Sequence, residues 1–188
     1  MIITQSIGEI SLELITSKKL FSPTAIDRGT LAMLEKVENP TKVLDLGCGY
    51  GPVGIYLAKL IGEENVVMSD IDFTAVSIAS KNAAANGVGG IKIVQSDGFT
   101  NIDDTGFSHI LSNPPYHADF KIPKHFIEKG FNRLALGGMM YMVTKRKDWY
   151  KNKLNAIFGG VKVWEVDGFF VFCAEKRTER YANAKGRS

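Results

Sequence analysis

The chain has 188 residues, of which 45% are hydrophobic, and these values suit one domain with a packed core. The formal net charge of +3 is too small to indicate nucleic-acid binding by itself. We find no apolar stretch long enough to cross a bilayer and no N-terminal secretion signal. Cys48 and Cys173 are too far apart in sequence to suggest a metal site. These features predict a cytoplasmic protein with no membrane segment and no metal.

The predicted elements begin with an N-terminal extension, residues 1–40, that packs on the domain instead of forming one of its own. Within it, ISLELI favours a strand and residues 26–37 favour a helix. Apolar runs and helical stripes then alternate. Strands are predicted at residues 42–47, 65–70, 91–97, 107–113 and 137–144, with helical stripes at 53–61, 73–86, 127–134 and 150–158.

The last two strands, VKVWEV and GFFVFCAEK, are separated only around Asp167 and Gly168, which predicts an antiparallel pair. Alternating strands and helices with short loops predict an α/β fold whose parallel sheet is covered on both faces. The terminal hairpin adds an antiparallel edge. We therefore predict a single domain over residues 1–188, with a core at 41–176 and a basic tail at 177–188 that frays.

The first core strand ends in a glycine-rich loop that runs from Asp45 to Gly51. Glycine is needed where a chain turns sharply or where a ligand touches the backbone. Ligands of open α/β sheets lie beyond the carboxyl ends of the strands, where exposed N–H groups of a helix start favour polar groups. We therefore predict that Gly47, Cys48 and Gly49 contact a cofactor.

The loop also satisfies the dinucleotide pattern GxGxxG, through Gly49, Gly51 and Gly54. In that register, however, the first glycine falls two residues beyond the one that directly ends the strand. Asp45 would repel a pyrophosphate and attract a cationic amino group. S-adenosylmethionine carries an ammonium and a sulfonium but no phosphate, so the loop favours it over a dinucleotide. A tight turn without a ligand is the plainer alternative.

Acidic residues also follow the next two strands. Asp70 ends the second strand, where a carboxylate can accept both hydroxyls of a ribose. Asp72 is expected to point outward as an acid in the first turn of a helix. Asp97 follows the third strand and could accept from an adenine amine, with Gly98 and Phe99 lining the ring. For Asp97 a helix cap is an equal alternative.

The most specific motif is the tetrapeptide Asn113-Pro114-Pro115-Tyr116, which follows the fourth strand. Consecutive prolines end the strand and stiffen the loop. The Asn113 side-chain oxygen and the Pro114 carbonyl can then accept both hydrogens of a planar amine and direct its lone pair at a sulfonium methyl group. Tyr116 offers a flat face to a flipped base or an amide. A rigid turn is the alternative, but the motif shares its sheet edge with the glycine loop.

On these motifs the chain resembles the small-domain class I methyltransferases, typified by ribosomal RNA small subunit methyltransferase C. The matching segments are DLGCGYGPVGIYLA, SDIDFTAVSIASKNAAANG, SDGF and SNPPYH. LFSPTAIDRGT resembles the segment that precedes the cofactor motif, with matches at Phe21, Ser22, Asp27, Gly29 and Thr30.

The resemblance implies a Rossmann-like fold with a seven-stranded, mostly parallel sheet, an antiparallel last strand and helices on both faces. It implies methylation of guanine N2 in ribosomal RNA and a segment that packs over the cofactor near Phe21. The full set of expected S-adenosylmethionine contacts is Phe21, Asp45, Gly47, Cys48, Gly49, Asp70, Ile71, Asp97, Gly98, Phe99 and Asn113.

Two departures leave the substrate open. The ribosomal enzymes carry an additional methyltransferase domain, whereas these 188 residues hold one. The tetrapeptide is followed by residues 117–121, beginning with His117, in place of the family's glycine-containing substrate loop. Adenine in nucleic acid and a protein glutamine amide are therefore alternative substrates, and a non-catalytic module or a nicotinamide-dependent enzyme is an alternative class.

Two clusters of basic residues could follow RNA phosphates, and for each a solvated run of surface charges is the alternative that its composition alone favours. Lys145, Arg146 and Lys147 come directly after the fifth core strand, at the edge that should carry the cofactor site. The second cluster lies at the end of the chain and comprises Lys176, Arg177, Arg180, Lys185 and Arg187.

Overall fold

The structure, a computed structural model, describes residues 1–116 and 119–183. The N-terminal residues form a hairpin of β1 (Ile2–Ile7) and β2 (Ile10–Ile15). The later strands are β3 (Val43–Leu46), β4 (Val66–Asp70), β5 (Lys92–Gln95), β6 (Phe107–Ser112), β7 (Leu134–Thr144), β8 (Lys162–Val166) and β9 (Phe169–Glu175). The helices are α1 (Arg28–Leu34), α2 (Pro52–Ile61), α3 (Phe73–Ala85), α4 (Lys121–Arg133) and α5 (Asp148–Phe158), with a 3-10 turn at Glu63–Asn65.

Within the described residues, strands β3 to β9 form one seven-stranded sheet in the order β5-β4-β3-β6-β7-β9-β8. Strands β3 to β7 run parallel, and β9 pairs antiparallel with both β7 and β8. Asp167 and Gly168 turn the β8–β9 hairpin with left-handed φ values of 50° and 81°, as a two-residue hairpin loop requires. The predicted mostly parallel sheet with an antiparallel last strand is confirmed.

The sheet is buried on both faces, which explains why its central strands are mostly apolar. Successive side chains of β3 show this directly, since Val43 belongs to one hydrophobic core and Leu44 to the other. The first core contains residues of α1, α2, α3 and the β2 strand. The second contains α4 and α5. Among the described helices, none combines the length and hydropathy needed to cross a bilayer.

The predicted strands and helices of the core correspond to observed ones, although α4 begins six residues before the stripe predicted at 127–134, and β1 was not predicted. Its side chains alternate between exposed and partly exposed, so it carries little of the apolar signal that marks a buried strand. The turn at Gly8, which has a φ of 58°, and the register that pairs Ile7 with Ile10 complete a hairpin.

One buried side chain, Asn82 of α3, fastens this hairpin to the core. Asn82 is fully buried. Its side-chain oxygen accepts from the Ile15 N–H at 2.7 Å, and its nitrogen donates to the Ile15 and Tyr50 carbonyls at 2.9 and 2.8 Å. One amide therefore joins β2, α3 and the glycine loop.

We expect Asn82→Ala to lower the free energy of unfolding by about 1–3 kcal/mol, because it leaves buried backbone groups without partners. Asn86→Ala is the matched control. Asn86 bonds in the same way to the N–H and carbonyl of Glu13, but it is partly exposed, so water can replace it. Urea unfolding measures both variants, and an equal effect in the two would contradict the role of burial at Asn82.

Candidate functional site

A cavity of about 340 Å³ opens at the carboxyl ends of β3, β4, β5 and β6, a size in the range of small-molecule sites. Most of the predicted site residues meet there, although they come from distant parts of the chain. Those that line it are Phe21, Asp45, Gly47, Cys48, Gly49, Asp70, Ile71, Asp97, Gly98, Asn113, Pro114 and Pro115.

The glycine loop forms one wall of the cavity with its backbone. Gly47 and Gly49 have backbone φ values of 75° and 57°, which residues other than glycine rarely adopt. A Cβ atom on either would meet no other atom within 4 Å, so both face open space. Gly54 has a different role, since a Cβ there would lie 2.4 Å from the Met68 side chain. The third glycine of the GxGxxG pattern thus lets α2 pack closely on β4.

Asp45 lies at the base of the cavity and is buried. Its Oδ2 accepts a hydrogen bond of 2.9 Å from the Gly54 N–H. Burial, reinforced by the charge of Asp70, raises the pKa of Asp45 to about 7, although the Gly54 hydrogen bond opposes this shift. The carboxyl group is therefore poised to ionise near neutral pH, and a cation entering the cavity would favour its charged form.

Asp70 is fixed at the cavity edge by two backbone groups. Its Oδ2 accepts from the Gly49 N–H at 2.8 Å and its Oδ1 from the Asp72 N–H at 2.9 Å. Each oxygen keeps a lone pair that can accept from a ligand. Asp72 caps α3 through a 2.8 Å bond from the Thr74 N–H; it is exposed, but it also lines the cavity, so the prediction that it points away from the site is wrong. Among the described residues, no three His, Cys, Asp or Glu side chains converge as metal ligands would.

Two predicted site residues, Phe99 and Tyr116, do not line the cavity. The prediction that Phe99 contacts the cofactor is wrong. Phe99 is only 4% exposed and packs in the second hydrophobic core, where the Arg133 guanidinium lies 5.6 Å from its ring centre. Gly98 takes a left-handed φ of 56° and lines the cavity, while the next side chain points into the core. Sequence reasoning missed the apolar wall residues Leu20, Met33, Ile122 and Phe126, which come from outside the strand–loop motifs.

Asn113 is held by the N-terminal segment. Its Nδ2 donates to Asp27 Oδ2 at 3.0 Å and to Thr30 Oγ1 at 2.9 Å. Within the described part of the chain, its buried Oδ1 has no hydrogen-bond partner. A buried acceptor without a partner is costly unless a ligand supplies the donor. The Asn113 oxygen is therefore an acceptor at this site to which a ligand could donate; the Ser69 hydroxyl, which also lines the cavity, likewise has no partner among the described residues.

Tyr116 stands beside the cavity and is half-buried. Its hydroxyl donates to Asp27 Oδ2 at 3.4 Å, and its ring forms a T-shaped pair with the Phe21 ring at 5.8 Å between ring centres. Burial and the charge of Asp27 raise the pKa of Tyr116, so the phenol stays protonated. Lys145 Nζ lies 5.6 Å from the centre of the Tyr116 ring, which joins the tetrapeptide to the turn after β7.

That turn presents three exposed cations, each placed over an aromatic ring. Lys145 also contacts Phe169, Arg146 lies 4.7 Å from the centre of the Phe120 ring, and Lys147 lies 5.7 Å from that of Phe170. These contacts hold the charges in place at the edge of the sheet that carries the cavity.

The C-terminal cluster requires a correction. Lys176 is only 4% exposed, and its Nζ donates to the Leu134 carbonyl at 3.0 Å, so it cannot follow phosphates. Tyr181 donates to the Glu128 carbonyl at 2.9 Å, which means that this part of the tail packs on α4 and does not fray. Lys185, Arg187 and His117 lie outside the described residues.

Comparison with known proteins places this chain in a family. The model of the methyltransferase small domain matches residues 11–173. YbxB of Bacillus subtilis, an uncharacterized protein, is 33% identical over 165 residues, which are 84% of this chain and 82% of YbxB. Ribosomal RNA small subunit methyltransferase C of Haemophilus ducreyi is 34% identical over 151 residues, which are 76% of this chain and 45% of that protein.

Among solved structures, the 16S rRNA N2 methyltransferase of T. thermophilus, in complex with AdoMet and guanosine, has a TM-score of 0.83 and 26% identity. The alignment covers 94% of this chain and 50% of that one. The chain thus spans about half the length of the ribosomal RNA methyltransferases that it matches.

We expect the Asp45 carboxyl of the ligand-free protein to titrate near pH 7, against about 4 in an unfolded chain. Because the folded-state pKa is raised, the group's contribution to stability is present below about pH 4 and is lost as the pH rises to about 7. A carboxyl ¹³C titration measures the midpoint, and Asp45→Asn identifies the resonance by removing it. A midpoint near 4 would show that water reaches the group and that its burial has no electrostatic effect.

Proposed function

Because the chain belongs to the methyltransferase small domain family, we propose that it is an S-adenosylmethionine-dependent N-methyltransferase that acts on guanine N2 in ribosomal RNA. The observation that carries this proposal is the Asn113 side chain, whose buried oxygen lacks a protein donor among the described residues. It lies on the same cavity as two carboxylates, Asp45 and Asp70. An acceptor for an amine and acceptors for a cationic nucleoside therefore share one site.

The residues present fit S-adenosylmethionine. The cavity has room for a small molecule, and the glycine loop turns an open backbone surface toward it. We assign Asp45 to the side of the cavity that receives the cationic amino acid moiety, because a positive charge offsets the burial of its carboxylate. Asp70 has lone pairs left for the ribose hydroxyls, and Asp97 is exposed on the wall where an adenine amine would lie.

When bound, S-adenosylmethionine supplies a methyl group already activated by its sulfonium. The protein's task is to prepare a nitrogen whose lone pair is delocalised into a ring. Asn113 Oδ1 and the Pro114 carbonyl would accept the two hydrogens of the amine and draw the nitrogen toward a tetrahedral geometry. Pro114 and Pro115 hold this loop rigid, so catalysis rests on positioning and electrostatics.

An RNA substrate is supported by the relatives and by the basic turn. The T. thermophilus enzyme is described with guanosine, and the aligned chain here carries the tetrapeptide at the edge of the same sheet. Arg146 and Lys147 are exposed next to that edge and are held over aromatic rings. Basic side chains beside aromatic ones suit single-stranded nucleic acid. A ribosomal RNA substrate implies a cytoplasmic location.

Adenine in nucleic acid and a protein glutamine amide present the same planar nitrogen, so the chemistry of Asn113 suits them as well. A nicotinamide-dependent enzyme fits less well, because the buried carboxyl of Asp45 lies beside the loop that would receive a pyrophosphate.

We expect Asn113→Ala to cut turnover roughly 100- to 1000-fold while leaving the affinity for S-adenosylmethionine nearly intact, since the side chain acts on the nitrogen. Asp70→Ala is the complementary variant. It should weaken S-adenosylmethionine binding by about 10- to 100-fold, because charged acceptors worth about 1.5–3 kcal/mol are lost. Calorimetry and single-turnover assays separate the two effects. Full turnover in Asn113→Ala would show that the tetrapeptide is only a rigid turn and does not activate the amine.

With methyl-labelled S-adenosylmethionine and total RNA, DNA and protein extracts, we expect label in RNA as N2-methylguanosine. Activity should fall steeply with salt, because phosphate contacts release counterions. Arg146→Gln/Lys147→Gln should flatten the salt slope by about 1.5 units, since each contact contributes roughly 0.7–0.9, and should leave the labelled nucleoside unchanged. Lys59→Gln/Lys81→Gln removes two exposed charges from α2 and α3 and is the control. Label found only in protein would exclude the RNA proposal.

A further inference from the structure

The Asn113 amide can point in either of two directions, and only one serves an amine substrate. Asp27 Oδ2 lies 3.0 Å from the Asn113 nitrogen. An ionised carboxylate only accepts hydrogen bonds, so a flipped amide would set two acceptors against each other. Thr30 Oγ1, at 2.9 Å, binds the same nitrogen. The Asp27 contact therefore selects the orientation in which Nδ2 faces α1 and the buried Oδ1 is left without a partner among the described residues. The Thr30 hydroxyl can also donate, so it does not select the orientation but adds a second partner that restrains the nitrogen.

The carboxylate is itself held in place. Asp27 caps α1, because its Oδ2 accepts from the Thr30 N–H at 3.0 Å, and the Tyr116 hydroxyl donates to the same oxygen at 3.4 Å. Gly29 lies between Asp27 and Thr30 in the sequence. A Cβ atom at this position would come within 2.9 Å of Asp27 Oδ2 and 2.6 Å of Phe169 Cδ1. The absence of a side chain there lets α1 pack against β9 with the carboxylate undisturbed.

We propose that Asp27 and Thr30 are positioning residues that lock the Asn113 side-chain amide with its oxygen facing the site of methyl transfer. This inference rests on the proposed function, in which that oxygen accepts a hydrogen of the substrate amine. The segment Asp27 to Thr30 thereby acquires a part in the chemistry in addition to packing α1 on the sheet. Asp27 and Thr30 act through Asn113 and do not themselves touch the reacting atoms.

Substitutions at both positions can separate positioning from folding. Thr30→Val keeps the shape of a buried side chain but removes the hydroxyl that binds Asn113, whereas Thr30→Ser keeps that hydroxyl and is the matched control. Asp27→Ser keeps a side chain that caps helices well, but the serine side chain is too short for its oxygen to reach Asn113. Each variant is first checked for an unchanged thermal unfolding midpoint relative to its control.

The first readout is hydrogen exchange of the Asn113 side-chain amide, followed by ¹⁵N NMR in the protein without substrate and identified by its absence in Asn113→Ala. We expect slow exchange in the wild type and in Thr30→Ser, and faster exchange in Thr30→Val and Asp27→Ser. The second readout is turnover with S-adenosylmethionine and total RNA. Thr30→Val should lower kcat about tenfold, the effect of one neutral hydrogen bond, with KM for S-adenosylmethionine unchanged and kcat restored in Thr30→Ser.

Faster exchange together with a lower kcat in Thr30→Val supports the proposal. Exchange that is fast in the wild type, or that is the same in all variants, overturns it, as does faster exchange with kcat unchanged. Failure of the proposed function looks different, since it appears as full activity in Asn113→Ala whatever the exchange of the wild-type amide shows.

Discussion

One carboxylate oxygen, Asp27 Oδ2, joins the start of α1 to the loop after β6. It accepts from the Thr30 N–H, from Asn113 Nδ2 and from the Tyr116 hydroxyl. Because it only accepts, it fixes the Asn113 amide with Nδ2 toward α1 and Oδ1 on the other side. The N-terminal extension is therefore part of the site, and its anchoring to the core through Asn82 has a consequence for chemistry as well as for stability.

On the opposite side of the cavity, the charge of two carboxyl groups determines what can bind, whereas at Asn113 the direction of hydrogen bonding does. Asp45 is buried beside the glycine loop, and its pKa is raised to about 7, while Asp70 stays partly exposed and is held by the Gly49 N–H. A cationic ligand would lower the pKa of Asp45, so that the carboxyl releases its proton to solvent and becomes a charged partner for the ligand. The site thus combines carboxylates suited to a positively charged cofactor with an oriented amide suited to a neutral amine, and the proposed N-methylation rests on this combination.

Much of the fold and of the site could be predicted from sequence, because both rest on local signals. A strand covered on both faces, such as Val43–Leu46, is apolar except for Asp45, and the glycine loop and the tetrapeptide each follow a buried strand. The rest depends on contacts between distant residues. The bond between Asp27 and Asn113 spans 86 positions. Phe99 looks like a ring for stacking on a ligand but lies in the core, and Lys176 looks like a phosphate contact but is bonded to the carbonyl of Leu134.

The central claim is that Thr30 contributes to methyl transfer only through Asn113, and a double-mutant cycle on single-turnover rates tests it most directly. The wild type, Thr30→Val, Asn113→Ala and the double variant are compared with S-adenosylmethionine and total RNA at saturation. The account predicts that Thr30→Val slows the reaction about tenfold in the wild type and has no further effect once Asn113 is alanine. The same slowing in both backgrounds would show that the two side chains act independently, and it would contradict the account.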